Sequence, residues 1–326
     1  MTGTPQPKVS VGLPVYNGAE FLRAALDSIL RQDYRDFELI ISDNASTDGT
    51  RAICQQYAQG DKRIRYFRNE SNGGAAENYR RVFELARGDY FNWATHDDIQ
   101  LPGFLRRCAE VLDKAPTSVV LVAPRAEIID AEGRKIEDWP VERLQTKRSR
   151  PHQRVSDVIR KLNWATAHLG LYRSEALRKT RLIDRFHAAD YVLLLESAIL
   201  GEIWEVPEIL FQRRFHSGTS TSANNTPAKL MEWFDPSQKG KGLLFARMSL
   251  ELAPRTRLAI EYAKSIKRMP LTPDERFLCL ITTLTLGSII ESRRLGREYW
   301  KRLRSEAGRA RRAMGWRVHA LPLEKP

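Results

Sequence analysis

The sequence has little cysteine: Cys54, Cys108 and Cys279 are its only three in 326 residues. They lie far apart and no CxxC pair occurs, so neither a zinc site nor a disulfide framework is expected. A reducing, cytoplasmic setting fits that usage. Long apolar runs are missing too. The longest late one, Phe277 to Ile290, is too short for a bilayer span, which needs about 20 residues. Residues 1–8 lack the basic-then-apolar order of a signal peptide. Two phosphate-binding signatures are also absent. No GxGxxG follows the first apolar segment and no GxxxxGK[ST] occurs, which argues against a dinucleotide fold and a P-loop kinase.

What remains is the composition of a packed globular protein, with 42% hydrophobic and 29% charged residues. The length allows one large domain or two ordinary ones. The net charge of +13 is unevenly placed. Between Arg293 and Arg317 ten basic residues stand against only Glu298 and Glu306. Such a run suits a phosphate-rich surface, either anionic lipid or nucleic acid, or else a solvated helix face.

Strand and helix patterns alternate. Val9 to Tyr16 reads as a short strand ending in a turn. Asn17, with Glu20 three residues on, reads as a capping box for a helix with Phe21, Leu22, Ala25, Leu26, Ile29 and Leu30 on one face. Phe37–Ser42 is a second strand, Asp43–Gly49 a polar loop and Asp48–Gln59 a helix. Ile64–Arg68 is a third strand. Ala75–Arg87 is a helix with Gly88 as its C′ glycine. Asp89–Thr95 is a fourth strand that ends in His96-Asp97-Asp98. Further on, Ser118–Ile129 and His168–Arg173 read as strands, Trp139–Arg154 as a loop, Ala188–Leu200 as a helix and Glu202–Phe215 as a strand. Ser220–Thr226 reads as a linker, and the chain from about Lys229 as basic and helical.

This alternation implies right-handed crossovers and a mainly parallel sheet with helices on both faces. Ligands bind at the carboxyl ends of the strands in such sheets. The polar clusters Tyr16-Asn17, Asp43-Asn44, Arg68-Asn69 and His96-Asp97-Asp98 fall at those ends.

Each cluster has a bland reading beside the chemical one. Adjacent carboxylates such as Asp97 and Asp98 repel unless a cation neutralises them, and Mg²⁺ or Mn²⁺ takes one or two carboxylates plus phosphate oxygens. The same pair would also cap a helix starting near Pro102. His216 would reach a metal or a phosphate, or sit in a surface loop. Asp190 would serve as a general base on a hydroxyl, or as a first-turn aspartate favoured by the helix dipole. Asp43, Asn44 and Asp48 would meet a nucleobase or ribose, or make Asx turns. Gly73-Gly74 would let a ligand approach the backbone.

Taken in order, these segments resemble the family-two glycosyltransferases of the GT-A fold. The resemblance rests on Pro14-Val-Tyr-Asn17, Ser28 to Ile41, Asp43 to Thr50, Asn72 to Asn78, Ala86 to Tyr90, His96-Asp-Asp98, Asp190 and His216. It covers about residues 8 to 220. It implies an α/β GT-A fold, a Rossmann-like, mainly parallel mixed sheet, with a catalytic domain over 1–220. A basic helical C-terminal region would follow over 221–326. The activity implied is inverting transfer of a sugar from a nucleotide-diphosphate donor to an acceptor hydroxyl, assisted by divalent Mn or Mg, in polysaccharide or glycoconjugate synthesis. Pro14, Tyr16, Asn17, Asp43, Asn72, His96 and Asp97 would contact the donor. Asp97, Asp98 and His216 would hold the metal, and Asp190 would be the base. Two positions depart from the family pattern: Thr95 stands where an aspartate is usual, and Ala189 precedes Asp190 where a glutamate is usual. The alternative is a catalytically inactive protein that binds nucleotide sugar or glycan on the same fold. The partners implied are the donor and a glycan or glycolipid acceptor, with no nucleic acid. The basic helices would give peripheral contact with the inner face of the membrane, or form a lid or dimerisation element.

Overall fold

The computed structural model describes residues 6–136, 142–219, 223–224, 226–238 and 254–286. The chain runs β1 (Val9–Val15), α1 (Ala19–Leu30), β2 (Phe37–Asp43), α2 (Thr50–Gly60), β3 (Ile64–Arg68), α3 (Ala75–Glu84), β4 (Tyr90–Trp93), β5 (Ile99–Gln100) and α4 (Phe104–Lys114). It continues through β6 (Val119–Ile129), α5 (Pro151–Lys161), β7 (Leu171–Arg173), α6 (Ser174–Leu177), α7 (Ala189–Leu200), β8 (Glu202–Arg214), α8 (Pro227–Phe234) and α9 (Pro254–Arg268). Residues 273–286 are helical.

The strands form one eight-stranded sheet in the order β3-β2-β1-β4-β7-β6-β8-β5. β3, β2, β1 and β4 are parallel neighbours, and β7 runs antiparallel between β4 and β6. The expected mainly parallel α/β sheet is therefore present. Its central strands carry near-continuous apolar runs because helices cover both faces, and every residue of β1 and β2 is buried. The register sets Val15 beside Asp43 and Asp43 beside Arg68. The first three strands thus end at one level, and the loops after them open on the same edge.

Packing against this sheet is tight. A Cβ at Gly12 would lie 2.7 Å from the Phe91 ring and 2.8 Å from Val82, so α3 can rest directly on β1. Phe83, Phe91, Trp93 and Tyr172 meet edge to face or tilted, with centroids 4.9 to 6.3 Å apart. That geometry suits aromatic quadrupoles and ties α3, β4 and β7 together.

Three local expectations give way to tertiary contacts. Asn17 does not cap α1. The Ala19 amide donates to Asp48 Oδ2 at 3.2 Å and the Gly18 amide to Thr50 Oγ1 at 2.9 Å, so a neighbouring loop supplies the cap. Gly88 is not a left-handed C′ residue. It is glycine because a Cβ there would lie 2.6 Å from the Ser10 amide nitrogen. Within the loop expected over Trp139–Arg154, residues 137–141 lie outside the described ones, but α5 already begins at Pro151. Arg154 is buried there and donates to the carbonyls of Ala198 (2.6 Å) and Ile199 (3.0 Å) at the end of α7. A cation is favoured at that helix end by the dipole and by the orphan carbonyls.

The described residues past β8 belong to the same compact unit as far as Thr283. Arg181 bridges Asp184 and Glu261, and Arg268 reaches the fully buried Glu196 at 3.3 Å, fastening α9 to α7. Most of the expected linker Ser220–Thr226 and all of the basic stretch Arg293–Arg317 lie outside the described residues. Among those described, no helix is long and apolar enough to cross a membrane.

Candidate functional site

The carboxyl ends of β1 to β4 open on a cleft of about 740 Å³. Pro14, Tyr16 and Asn17 line it from the end of β1, Asn44 and Asn72 from the loops after β2 and β3, and His96 and Asp97 from the loop after β4. Tyr16 leaves 42% of its surface exposed although it is a large aromatic. Gly18 makes room for His96: a Cβ at that position would lie 2.5 Å from the imidazole Cδ2.

Asn17 has φ 50° and turns its side chain into the α2 loop, where its Oδ1 accepts from the Thr47 amide at 2.8 Å. Asn44 and Asn72 are joined by a 2.8 Å hydrogen bond, and Asn72 Oδ1 also accepts from the Gly74 amide. The Asn78 amide group donates to the Ser42 carbonyl at 2.8 Å, while its buried Oδ1 has no hydrogen-bond partner among the described residues. These amides hold the β2 and β3 loops together around the cleft.

Asp43 is turned away from the cleft. It is fully buried, and its oxygens accept from the Ser46 amide (2.8 Å) and the Tyr66 hydroxyl (2.9 Å). Arg68 stands 3.5 Å from the same carboxylate. Its neighbour Asn44 is the residue of that strand end that faces the cleft.

The adjacent aspartates divide. Asp97 faces the cleft, and its Oδ2 lies 3.1 Å from His216 Nε2. Asp98 is directed inward, where Oδ1 accepts from the Arg214 amide (2.8 Å) and Oδ2 from Thr95 Oγ1 (2.6 Å). Both of its oxygens are committed to the protein, so it is not part of the cation-facing set that the sequence leads one to expect. Burial, then the charge of Asp97, pushes the Asp98 carboxyl up to about 7. Burial alone would also raise Asp97, but the hydrogen bond from His216 and the electrostatic pull of the neighbouring His96 and His216 rings hold it below the ordinary carboxylate range.

Arg214 fixes this loop. Its Nε donates to the Asp97 carbonyl at 2.9 Å, its guanidinium reaches the carbonyls of Asp130 and Ala131, and it lies 4.9 Å over the Phe21 ring. The same ring packs on His216 with centroids 4.5 Å apart. The Gly218 amide donates to His216 Nδ1 at 3.2 Å. Nδ1 is therefore the acceptor nitrogen and Nε2 carries the proton toward Asp97. A metal-ligating histidine has the opposite arrangement, with its second nitrogen donating. In this tautomer His216 is a hydrogen-bond donor to an oxyanion.

Of the two adjacent aspartates, Asp97 is the one that lines the cleft. No cluster of three His, Cys, Asp or Glu suited to a metal occurs among the described residues. Mg²⁺ and Mn²⁺ are commonly held by one or two carboxylates while phosphate oxygens and water fill the remaining positions.

Asp190 sits in the first turn of α7, half-buried, after Ala188 at φ 66°. It does not line the cleft itself, but its charge is felt by Tyr79, which does. Burial raises the Tyr79 hydroxyl, and Asp97, Asp98 and Asp190 raise it further. Asp190 also opposes the effect of burial on His168, a buried residue whose Nδ1 donates to the Ala165 carbonyl at 2.6 Å. Neither Tyr79 nor His168 stands out in the sequence, since each falls inside an ordinary segment with no local motif. Lys229, Glu232, Trp233 and Pro236 line the cleft as well. Their spacing of three, four and seven is a helix-face signal that the sequence does contain.

The model of glycosyl transferase family 2 matches residues 10–180. An uncharacterized glycosyltransferase of Rickettsia typhi is 29% identical over 240 residues, spanning 73% of this chain and 72% of that protein. Among solved structures, S. aureus TarS 1-349 in complex with UDP-GlcNAc superposes with a TM-score of 0.53 at 16% identity, over 89% of this chain and 92% of that one. Mannosyltransferase PcManGT from Pyrobaculum calidifontis, in complex with GDP-Man and Mn2+, gives 0.51 at 18% identity, over 88% and 87%. At such identities the likeness is one of fold.

Proposed function

Since the chain belongs to glycosyl transferase family 2, we propose that it transfers a sugar from a nucleoside-diphosphate donor, held in this cleft, to an acceptor hydroxyl with inversion. The observation that carries this reading is the meeting of Asp97 and His216 at 3.1 Å on the floor lined by Pro14, Tyr16, Asn72 and His96. TarS has been captured with UDP-GlcNAc and PcManGT with GDP-Man and Mn2+, which supports a nucleotide-sugar donor and a divalent ion on this fold.

The roles follow from the chemistry of each group. Tyr16 and the Pro14 backbone flank the nucleobase. Asn72 and His96 meet the donor between base and sugar, and Asn17 shapes the wall through its hold on Thr47. Asp97 would hold the cation, and His216 would share its one Nε2 proton between Asp97 and the diphosphate. Asp98, through Arg214 and Thr95, keeps Asp97 in place. A divalent ion on Asp97 would neutralise charge on the departing diphosphate. Asp190 removes the acceptor hydroxyl proton as that oxygen bonds to the anomeric carbon. The bond from that carbon to the diphosphate oxygen breaks in the same displacement, so configuration inverts. Preorganised donors such as His216 act where charge develops on the leaving group. A polysaccharide or lipid-linked acceptor belongs to the same proposal, with the basic C-terminal stretch as its membrane contact.

The test is thermal unfolding against a panel of nucleoside diphosphates, with and without Mn²⁺. Ligand bound only to the native state raises the melting temperature by mass action. A rise with one nucleotide, lost in Asp97→Ala, supports the donor site and identifies the base. No rise with any nucleotide, for a folded protein, overturns it. Donor binding without transfer or hydrolysis would assign the chain to the non-catalytic alternative.

A further inference from the structure

Part of the cleft lining comes from α8, outside the family match at 10–180 and past the boundary at residue 220. We infer that α8 reads both ends of the donor nucleotide, with Trp233 against the base and Lys229 on the diphosphate. This deepens the donor-site reading above and rests on it.

Placement of the helix is the first observation. Its C-terminal end is pressed onto the start of α3: a Cβ at Gly74 would lie 2.5 Å from the Phe234 carbonyl oxygen and 2.6 Å from Pro236 Cδ. The Gly74 carbonyl accepts from Asn44 at 3.1 Å, and the Gly74 amide donates to Asn72. The Trp233–Pro236 end of the wall therefore adjoins the loops after β2 and β3, and β2 neighbours β1, whose end carries Tyr16. That is where a base stacked on Tyr16 would lie.

Periodicity is the second. Lys229, Glu232, Trp233 and Pro236 all line the cleft, and the first three share one face of α8. Lys229 precedes Trp233 by four residues, which sets it about 6 Å back along the helix axis. A ribose spans a comparable gap between base and diphosphate. Charge is the third. Lys229 is the only Lys or Arg among the described residues that line the cleft, and the same lining includes the carboxylates of Asp97 and Glu232. A diphosphate brings further negative charge to that wall, and an ammonium within reach would offset it.

The test is calorimetric binding to the 326-residue chain, in EDTA and again in Mn²⁺. The probes are UDP and GDP with their monophosphates and nucleosides. Lys229→Ala weakens the bound diphosphate about tenfold and leaves the nucleoside unchanged, and Lys229→Arg recovers most of the loss. Trp233→Ala weakens nucleoside and diphosphate alike, on the order of tenfold, and Trp233→Phe retains the affinity. Melting temperatures of the ligand-free variants, with Lys229 exposed at the helix surface, separate these effects from misfolding. Wild-type binding that both alanine variants leave intact overturns the role of α8 while the donor site stands. No nucleotide binding by the wild type overturns both.

Discussion

His216 Nε2 donates to Asp97 Oδ2 across 3.1 Å, joining residues 119 positions apart. One partner follows β4 and the other follows β8, so the pair exists only once the sheet has closed. The Phe21 ring on His216 and the Arg214 side chain on the Asp97 carbonyl hold the two in place. Asp97→Asn removes the charge that faces the diphosphate. Transfer should fall by about 100-fold or more, with the metal-dependent thermal shift abolished and the unliganded melting temperature little changed. His216→Ala should lower donor affinity yet leave the response to Mn²⁺ in place, because His216 is a donor rather than a ligand in this arrangement. Retention of both by Asp97→Asn would remove the centre of the proposed site.

Gly18→Ala tests the close approach beneath His96. The new methyl group meets the imidazole, which must shift into the cleft. Overpacking of this kind costs about 1–3 kcal/mol. Because the ring lines the cleft, KM for the donor should rise together with the loss of stability. Gly49→Ala serves as the comparison, since a Cβ there has its nearest neighbour at 3.6 Å. Equal behaviour of the two variants would refute the role given to Gly18.

Asp190→Asn should lower kcat by about 10²- to 10⁴-fold with little change in donor binding, the usual range for a lost general base. Full activity would show that another group takes the acceptor proton.

Glu38 predicts a pH dependence of stability. It is buried between Ser10, Arg65 and Arg87, with contacts of 2.7, 2.8 and 2.8 Å. Burial would raise its carboxyl, but the hydrogen bonds from these partners prevail and hold it below its ordinary 4.5. The folded state therefore keeps Glu38 ionised where the unfolded chain already binds a proton. Its stabilisation is complete above about pH 4.5 and is lost as the pH falls through the lower folded value. Glu38→Gln should cost about 2–4 kcal/mol at pH 7, because Arg65 and Arg87 lose their counter-charge. Urea midpoints at pH 7 and pH 3.5 should differ less in the variant than in the wild type.

The succession of the main strands and helices along the chain and the polar strand ends are legible in the sequence because each is a local property. A buried parallel strand is an apolar run, and a helix face repeats every three to four residues. Tyr16, His96 and Asp97 reach the cleft for the same reason: they follow strands whose direction is set by the crossover rule. The α8 face at 229, 232, 233 and 236 is equally local, but no neighbouring motif marks it as part of a site.

The orientation of single side chains is another matter. Asp43 and Asp98 stand at strand ends just as Asp97 does, yet the fold turns both inward. Asp98 faces the Arg214 amide, 116 positions away in sequence, and Asp43 meets Tyr66, 23 positions away. A buried carboxylate goes where donors can satisfy it, and which donors lie within reach depends on the assembled sheet. Capping of α1 by Asp48 and Thr50 has the same origin, since an orphan amide takes the nearest oxygen whatever its distance along the chain. By itself the sequence determined most of the elements, their succession along the chain and the edge on which the chemistry gathers. Only tertiary structure decided which carboxylate at that edge faces the cleft, because hydrogen bonds and burial are satisfied in space rather than along the chain.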